Sequence, residues 1–371
     1  MECDFLIVGA GIAGASAGYE LAARGRVILL ERESQPGYHS TGRSAAMYIE
    51  SYGNAPVRAI TAASRAFLEH PPAGFAGSPL LSPRGVLYLA RKDQMAKLER
   101  EYAELKKDAP GLRRLTKREA LALFPLIHID YVEAALFDAD AMDLDVHAVH
   151  QGFLKGLKAR GGQVVTSAEL TAAERKGGLW HVRTPAGDFS APVLINAAGA
   201  WADVLAARIG AKPIAIVPKR RTAFIFDPPQ GAKIEGWPVA ADVDEQFYLK
   251  PEAGKFLGSP ADETPVEPQD IQPEELDIAI AADRIEKAIS FKISRIQRRW
   301  AGLRSFVKDK TPVVGFAPDA EGFFWCAGQG GYGIQTSPAM GRIAAALAQG
   351  GPLPADVAAR GVTEAQLAPG R

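Results

Sequence analysis

Residues 4–32 read DFLIVGAGIAGASAGYELAARGRVILLER. The stretch predicts a strand, a tight glycine turn, a helix and a second strand. Asp4 to Val8 is an apolar run of strand length, and Gly9, Gly11 and Gly14 follow at once in the spacing G-x-G-x-x-G. The first glycine permits the turn, the second lets a diphosphate approach the backbone, and the third lets helix and strand pack closely. The helix N-terminus presents free N–H groups and a positive dipole to such an anion. Small and helix-favouring residues run from Ala15 to Ala23, and Gly25 closes the helix. The second strand ends at Glu31, where a carboxylate accepts hydrogen bonds from ribose hydroxyls and repels a 2′-phosphate. With all these parts in register the stretch predicts dinucleotide binding. NADP is disfavoured, while FAD and NAD both remain.

The 371-residue chain is long enough for about two or three domains. Its 43 basic and 43 acidic residues cancel, so no net field recommends nucleic acid or an anionic membrane as partner. A small molecule suits this balance better. The only cysteines are Cys3 and Cys326, too few for a disulfide framework or a cysteine-rich metal site. His147 and His150 share a helical face but lack carboxylate companions, so no metal is expected. No apolar run reaches the roughly 18 residues of a membrane span. The N-terminus lacks a basic leader and enters a strand directly, which predicts a cytoplasmic setting. The basic stretch 284–300 is the one candidate for peripheral membrane contact, and it reads more simply as a solvated helix feeding a strand.

After Arg32 the chain does not continue the βα rhythm of an NAD domain. It passes into SQPGYHSTGRSAAMYIESYG (34–53), rich in turn formers, and helix–strand alternation resumes only at GLKARGGQVVTSAEL (156–170). FSAPVLINAAGAWADVLA (189–206) carries a strand, Val193 to Asn196, and a small-residue turn that opens another helix. GFFWCAGQGGYGIQTSPAMGRIAAALA (322–348) holds a second glycine-rich segment, with a helix expected from about Thr336–Ser337 and Pro338 in its first turn. The dinucleotide domain is therefore expected to be assembled from separated pieces.

The blocks VGAGIAGAS, HSTGRSAA, ITAASRAF, PKRR, FYLKP, WAGLRSF and QGGYGIQTS, in this order, resemble the D-amino-acid oxidase superfamily of FAD-dependent oxidoreductases. Within it the chain is most similar to the bacterial D-arginine dehydrogenases. The resemblance implies non-covalent FAD, extended between two domains, and an α/β fold. A Rossmann-like FAD-binding domain would take residues 1–50, 145–212 and 305–371. An α+β substrate domain with an antiparallel sheet would take 51–144 and 213–304. By position, Gly9, Gly11, Ile12, Ala13 and Gly14 would hold the pyrophosphate, and Glu31 with Arg32 the adenosine ribose. His39, Ser40, Thr41, Arg43, Ser44, Ala45 and Ala46 would run along the ribityl–flavin portion. Glu169 and Leu170 would meet the adenine, and Ala198, Gly199 and Trp201 the nucleotide, Trp201 reading equally well as core. Gly330, Gly331, Tyr332, Gly333, Ile334 and Gln335 would meet the flavin ring. Cys326 is a candidate flavin tether, but its apolar context fits a buried strand end better.

An amino-acid oxidoreductase must fix a carboxylate so that Cα–H faces the flavin, which a planar guanidinium does best through two parallel hydrogen bonds. Arg304 and Arg221 lie in apolar strand-like runs and are the candidates, although Lys219 and Arg220 compete with Arg221. Tyr248 and Tyr52 are candidate donors to the same carboxylate, and Gly331, Tyr332 and Gln335 could border the amine. No acid–base set stands out, and hydride transfer from a neutral amine needs alignment more than a strong base. The D-arginine dehydrogenases carry a glutamate after LLSPR and a histidine after GRSAA; here Val86 and Met47 stand in those places, after Gly85 and Ala46. The expected substrates are therefore D-amino acids with apolar or uncharged side chains, with a quinone, another carrier or oxygen as electron acceptor. The alternative is an oxidase of glycine, sarcosine or D-proline.

Overall fold

A computed structural model describes all 371 residues. The strand Phe5–Val8 is buried throughout and pairs in parallel with Val27–Leu30 on one side and Val193–Asn196 on the other. Apolar runs without alternation suit strands covered on both faces. Phe323–Ala327 adds in parallel to Val193–Asn196, and Gln163–Val165 to Val27–Leu30, while Val313–Phe316 closes one edge antiparallel. One six-stranded sheet thus collects strands from distant parts of the chain. The helices Ile12–Leu21, Val146–Ala159 and Gly333–Ala348 share an apolar core with one face of this sheet. On the other face Trp180, Val182 and Phe189 pack down from a three-stranded sheet spanning Ala172–Ala191.

Two local readings need correction. Gly14, expected at the pyrophosphate, does not line the cavity: a Cβ there would sit 1.9 Å from the Gly9 carbonyl oxygen, so its bare backbone lets the helix approach the turn. The last helix begins at Gly333, a turn earlier than expected, and Pro338 falls in its second turn. Proline has no N–H to offer the carbonyl four residues back. The Ser337 hydroxyl donates to Ile334 O instead, at 2.8 Å, which removes that cost.

The second large sheet runs in the order Thr264–Pro265, Val217–Phe226, Lys255–Ser259, Tyr248–Glu252, Val239–Asp242, Val86–Ala90, Ala134–Asp138, Arg113–Thr116, with Ile296–Phe306 also on Val217–Phe226. All its pairs are antiparallel except Val239–Asp242 with Val86–Ala90, which is parallel. Those two strands are far apart in sequence, so no hairpin dictates their direction. Alternation divides the sheet. Leu87, Leu89, Phe224, Phe226, Ala240 and Leu249 join an apolar core with the helix Glu275–Ala288. Burying each of the larger side chains contributes about 1.5–3 kcal/mol, which specifies the register. Their neighbours Val86, Tyr88, Arg221, Ala223, Ala241 and Tyr248 point the other way, into a cavity. The basic stretch 284–300 ends the helix Glu275–Ala288 and enters Ile296–Phe306, and no helix is long and apolar enough to cross a membrane.

Candidate active site

The cavity measures ≈ 1030 Å³ and reaches from the first glycine turn to the face of the second sheet. At the turn end it is lined by Gly9, Gly11, Ile12 and Ala13. Gly9 has φ +104°, and a Cβ there would meet Ala197 O at 2.4 Å. The turn is clamped from two sides. Ala10 N–H donates to Glu31 Oε2 at 3.0 Å, and Ala10 O accepts from His150 Nε2 at 2.9 Å. Glu31 Oε1 also accepts from Glu33 N–H, so the carboxylate braces the backbone as well as facing the cavity. Burial pushes its pKa upward, against those two amides. Each of its oxygens keeps a further lone pair for a ribose hydroxyl. Thr41 Oγ1 accepts from Ile12 N–H at 3.0 Å. The helix Ile12–Leu21 has no side-chain cap from its N-cap residue Gly11 and no acid in its first turn, which leaves its dipole free for an anion.

Arg32, His39 and Trp201 form one group. The Arg32 guanidinium lies 4.1 Å over the Trp201 ring, the His39 ring is 4.6 Å from it, and Arg32 Nε and His39 Nε2 both meet Glu33 Oε1. Trp201 is therefore a cavity wall rather than core. Asn196 builds the turn before it, accepting from Ala198 N–H and donating to Ala202 O. Glu169, Leu170, Ala198 and Gly199 line the same end. Arg208, which sequence reasoning missed, also lines it and pairs with Glu169 at 3.5 Å. Its only sequence signal was a place in the helix after the small-residue turn.

Further in, Ser40, Thr41, Arg43, Ser44, Ala45 and Ala46 line the cavity. Arg43 does more than line it: the guanidinium bonds Asp270, Ile271 O and Ala301 O, tying this segment to the second sheet. Gly330 to Gln335 form the opposite wall. A Cβ on Gly330 would fall 2.2 Å from the Phe306 ring, so bare backbone is required there. Gln335 was expected near the amine, and most of its amide is engaged by the protein. Oε1 accepts from Ile49 N–H, and Nε2 donates to Ile49 O and to Thr61 Oγ1. It brackets the Ile49 backbone, which commits both Nε2 hydrogens and leaves one lone pair on Oε1.

At the sheet end Arg304 Nη1 donates to the Tyr52 hydroxyl at 3.1 Å, its one side-chain hydrogen bond. The guanidinium lies flat against Gly331, where a Cβ would come within 2.5 Å of Cζ. Burial works against this charge, but the Tyr52 and Tyr248 hydroxyls outweigh it and move the pKa upward. Arg221 donates from Nε to Asp262 O at 2.8 Å, and its Nη2 is 3.5 Å from Glu263. Its pKa is lowered, chiefly by burial and then by the like charge of Arg304. Two half-buried guanidiniums without a full complement of carboxylates make a site for an incoming anion. Strand alternation settles the competition with Arg220, which turns to the other face and pairs with Asp262, Glu274 and Asp277. Lys219 pairs with Glu263. Tyr248, Met47, Val86 and Gly331 border the same space. Glu245, missed in the sequence, lines it too; it is exposed, on a turn residue with φ 54°. Cys326 is 1% exposed in the core and does not line the cavity, and burial pushes its thiol up to about 12.

The sequence matches the family described as DAO, FAD dependent oxidoreductase, over residues 4–347. It is 24% identical over 396 residues to the bovine (Bos taurus) FAD-dependent oxidoreductase domain-containing protein 1, covering 93% of this chain and 80% of that one. It is 25% identical to the glycine oxidase of Geobacillus kaustophilus over 93% of both chains. The crystal structure of a glycine oxidase from that organism superposes with a TM-score of 0.83 at 23% identity, over 94% and 95% of the two chains. The dithionite-reduced L-α-glycerophosphate oxidase of Mycoplasma pneumoniae, with FAD bound, gives 0.85 at 19% identity over 94% and 95%. These likenesses show a shared α/β fold with parallel and antiparallel sheets.

Proposed function

The chain belongs to the DAO family of FAD-dependent oxidoreductases, and we propose that it oxidises D-amino acids with apolar or uncharged side chains to 2-oxo acids and ammonia. The observation that carries this reading is the half-buried Arg304 guanidinium, whose one side-chain partner is neutral, beside Arg221, Tyr52 and Tyr248 in a cavity continuous with the glycine turn. The residues present suit FAD: a diphosphate fits at Gly9 to Ala13, ribose at Glu31, and a flat ring against Gly330 and Gly331, where a Cβ would clash. Residues 1–50, 145–212 and 305–371 form the cofactor half in this reading, and 51–144 with 213–304 the substrate half. Bound FAD supplies the two-electron acceptor for the hydride of Cα. Arg304, Arg221, Tyr52 and Tyr248 hold the substrate carboxylate and fix the direction of Cα–H. Met47, Ile49, Val86 and Val239 give the side chain an apolar wall, with the exposed Glu245 carboxylate also bordering the space. The imino acid leaves and hydrolyses in water. Reaction takes place in the cytoplasm, and the flavin electrons pass on to a quinone, another carrier or oxygen.

Anaerobic mixing of the yellow protein with single D-amino acids tests this. Rapid bleaching near about 450 nm with D-Leu, D-Met or D-Phe is the expected result. No bleaching with any D-amino acid sinks the reading, and a clear preference for D-Arg or D-Lys overturns its side-chain part. The likeness to glycine oxidase supports a second reading, an oxidase of glycine, sarcosine or D-proline. Oxygen consumption with those three amines, and none with larger D-amino acids, would favour it.

A further inference from the structure

The substrate end of the cavity has a polar feature that carboxylate binding does not use. Asp138 closes the strand Ala134–Asp138, which pairs with Val86–Ala90 in the floor of the cavity. It is 3% exposed, and both its partners are neutral. Oδ1 accepts from Asp140 N–H at 3.2 Å, and Oδ2 accepts from the Ser51 hydroxyl at 2.7 Å. The Ser51 hydroxyl neighbours the Tyr88 phenol closely enough to act on it. Ser51 and Tyr88 both line the cavity. Tyr88 sits level with Ala241, and Ala241 with Tyr248, so the two phenols stand two strand spacings apart, about 10 Å, on one sheet face. Tyr52 lies close enough to Tyr88 to act on it electrostatically, and Tyr52 touches Arg304.

A structural role accounts for half of this. The bond from Asp140 N–H closes a turn, as aspartates commonly do. It does not account for the second oxygen, which accepts from Ser51, a hydroxyl that lines the cavity beside Tyr88. Each of these hydroxyls is both donor and acceptor. Tyr88 O–H can donate to Ser51 Oγ, whose own proton points at Asp138 Oδ2. A buried carboxylate without a cation is costly, and it is relieved by taking up a proton. The charged or titratable groups that reach Asp138 are Asp140 and Glu50; those that reach Tyr88 are Asp138, Tyr52 and Glu245. All carry or acquire negative charge. Burial first, and then these neighbours, hold the Asp138 carboxyl above the usual range.

We propose that Tyr88, Ser51 and Asp138 form a proton relay that receives a proton from the α-ammonium group of the substrate. This rests on the amino-acid oxidoreductase reading above. An ammonium nitrogen has no lone pair with which to form the C=N bond, so it must lose a proton before Cα is oxidised. Its N–H bond breaks as the proton passes to Tyr88 Oη. The phenolic proton moves to Ser51 Oγ, and the Ser51 proton forms an O–H bond at Asp138 Oδ2. One positive and one negative charge vanish together, no electrons move, and no further reactant is needed. Tyr88 touches the substrate; Ser51 and Asp138 act through it.

The test compares the holoenzyme with Asp138→Asn, Ser51→Ala and Tyr88→Phe, using the amino acid that bleaches the wild type fastest. The variants are expected to lose about 10²-fold in kcat/KM near neutral pH and to recover toward the pH at which the free amine is already neutral. Retained flavin and an unchanged melting curve would mark them as folded. A second reading needs no turnover. 2-Aminoisobutyrate lacks a Cα hydrogen and cannot be oxidised, so its Kd follows from the shift of the flavin spectrum. The wild type should bind it with little pH dependence, because the proton stays inside the complex. Asp138→Asn should lose about tenfold per pH unit below the amine pKa. Variant profiles that parallel the wild type in both measurements overturn the relay, whereas a wild type that no amino acid bleaches defeats the underlying reading instead.

Discussion

Arg304 shows how much one side chain can carry. It is half-buried, it bonds a phenol rather than a carboxylate, and it lies flat against Gly331. A carboxylate held there gains two charge-assisted hydrogen bonds of about 1.5–3 kcal/mol each. Lysine offers a point charge in place of the fork, so Arg304→Lys is predicted to lower kcat/KM by on the order of 10²-fold with flavin still bound. Wild-type kinetics in that variant would show that the carboxylate sits elsewhere. Gly331→Val is predicted to drive Cγ atoms into the Arg304 guanidinium, raising KM or releasing flavin with less effect on the unfolding midpoint. A yellow, fully active Gly331→Val protein would contradict the contact. His150 acts at the opposite end. Its Nε2–H holds Ala10 O, and burial depresses its pKa in the folded state. A depressed histidine stabilises the fold above the unfolded value of about 6.5, and that contribution is lost as pH falls through the folded pKa. The melting temperature of the wild type should therefore fall between about pH 7 and 5 more steeply than that of His150→Phe, measured by scanning calorimetry. His150→Phe should also release FAD more readily, seen as free-flavin fluorescence.

At the scale of elements, the last helix illustrates how a local rule is bent without penalty. Pro338 stands in the second turn of Gly333–Ala348, where proline deprives the Ile334 carbonyl of its backbone donor. Ser337 restores that bond from the side chain. Ser337→Ala should leave a buried carbonyl without a partner and cost about 1 kcal/mol, read from urea unfolding. The gain from this arrangement is position. With its first residue at Gly333, the helix brings its N-terminus and positive dipole directly to the cavity wall. The strand Val217–Phe226 does the corresponding work in the second sheet. Alternation sends Arg221 and Ala223 to the cavity, and Arg220, Phe224 and Phe226 to the other side. A one-residue slip would exchange Arg221 for Arg220 and bury the wrong charge.

For the whole molecule, the site exists because two sheets from interleaved parts of the chain face one another. Arg43 is the strap between them, bonded to Asp270, Ile271 O and Ala301 O, with Trp300 donating back to its carbonyl at 3.0 Å. Arg43→Ala should therefore lower the temperature at which flavin fluorescence appears by more than it lowers flavin affinity at room temperature. Equal changes in both would argue that Arg43 is a ligand rather than a strap. Much of this was legible in the chain. The strand–turn–helix–strand of residues 4–32, the apolar strand at Val193–Asn196 and the glycine segment at 328–333 follow from local rules: periodicity, turn chemistry and close approach of backbone. These suffice for the dinucleotide fold and for one end of the cavity, because each depends on residues adjacent in sequence. The assignments of Arg304, Arg221, Tyr52 and Tyr248 came from the pattern of blocks, not from spacing alone. What no local rule contained was the company those residues keep. That Gln335 would be engaged by Ile49 and Thr61, that Arg220 would face an acidic cluster, and that Asp138 would reach the cavity through Ser51 and Tyr88 all depend on contacts between segments dozens to hundreds of residues apart. Their partners are chosen by strand register and by which sheet face is buried, and these quantities exist only once the chain has folded.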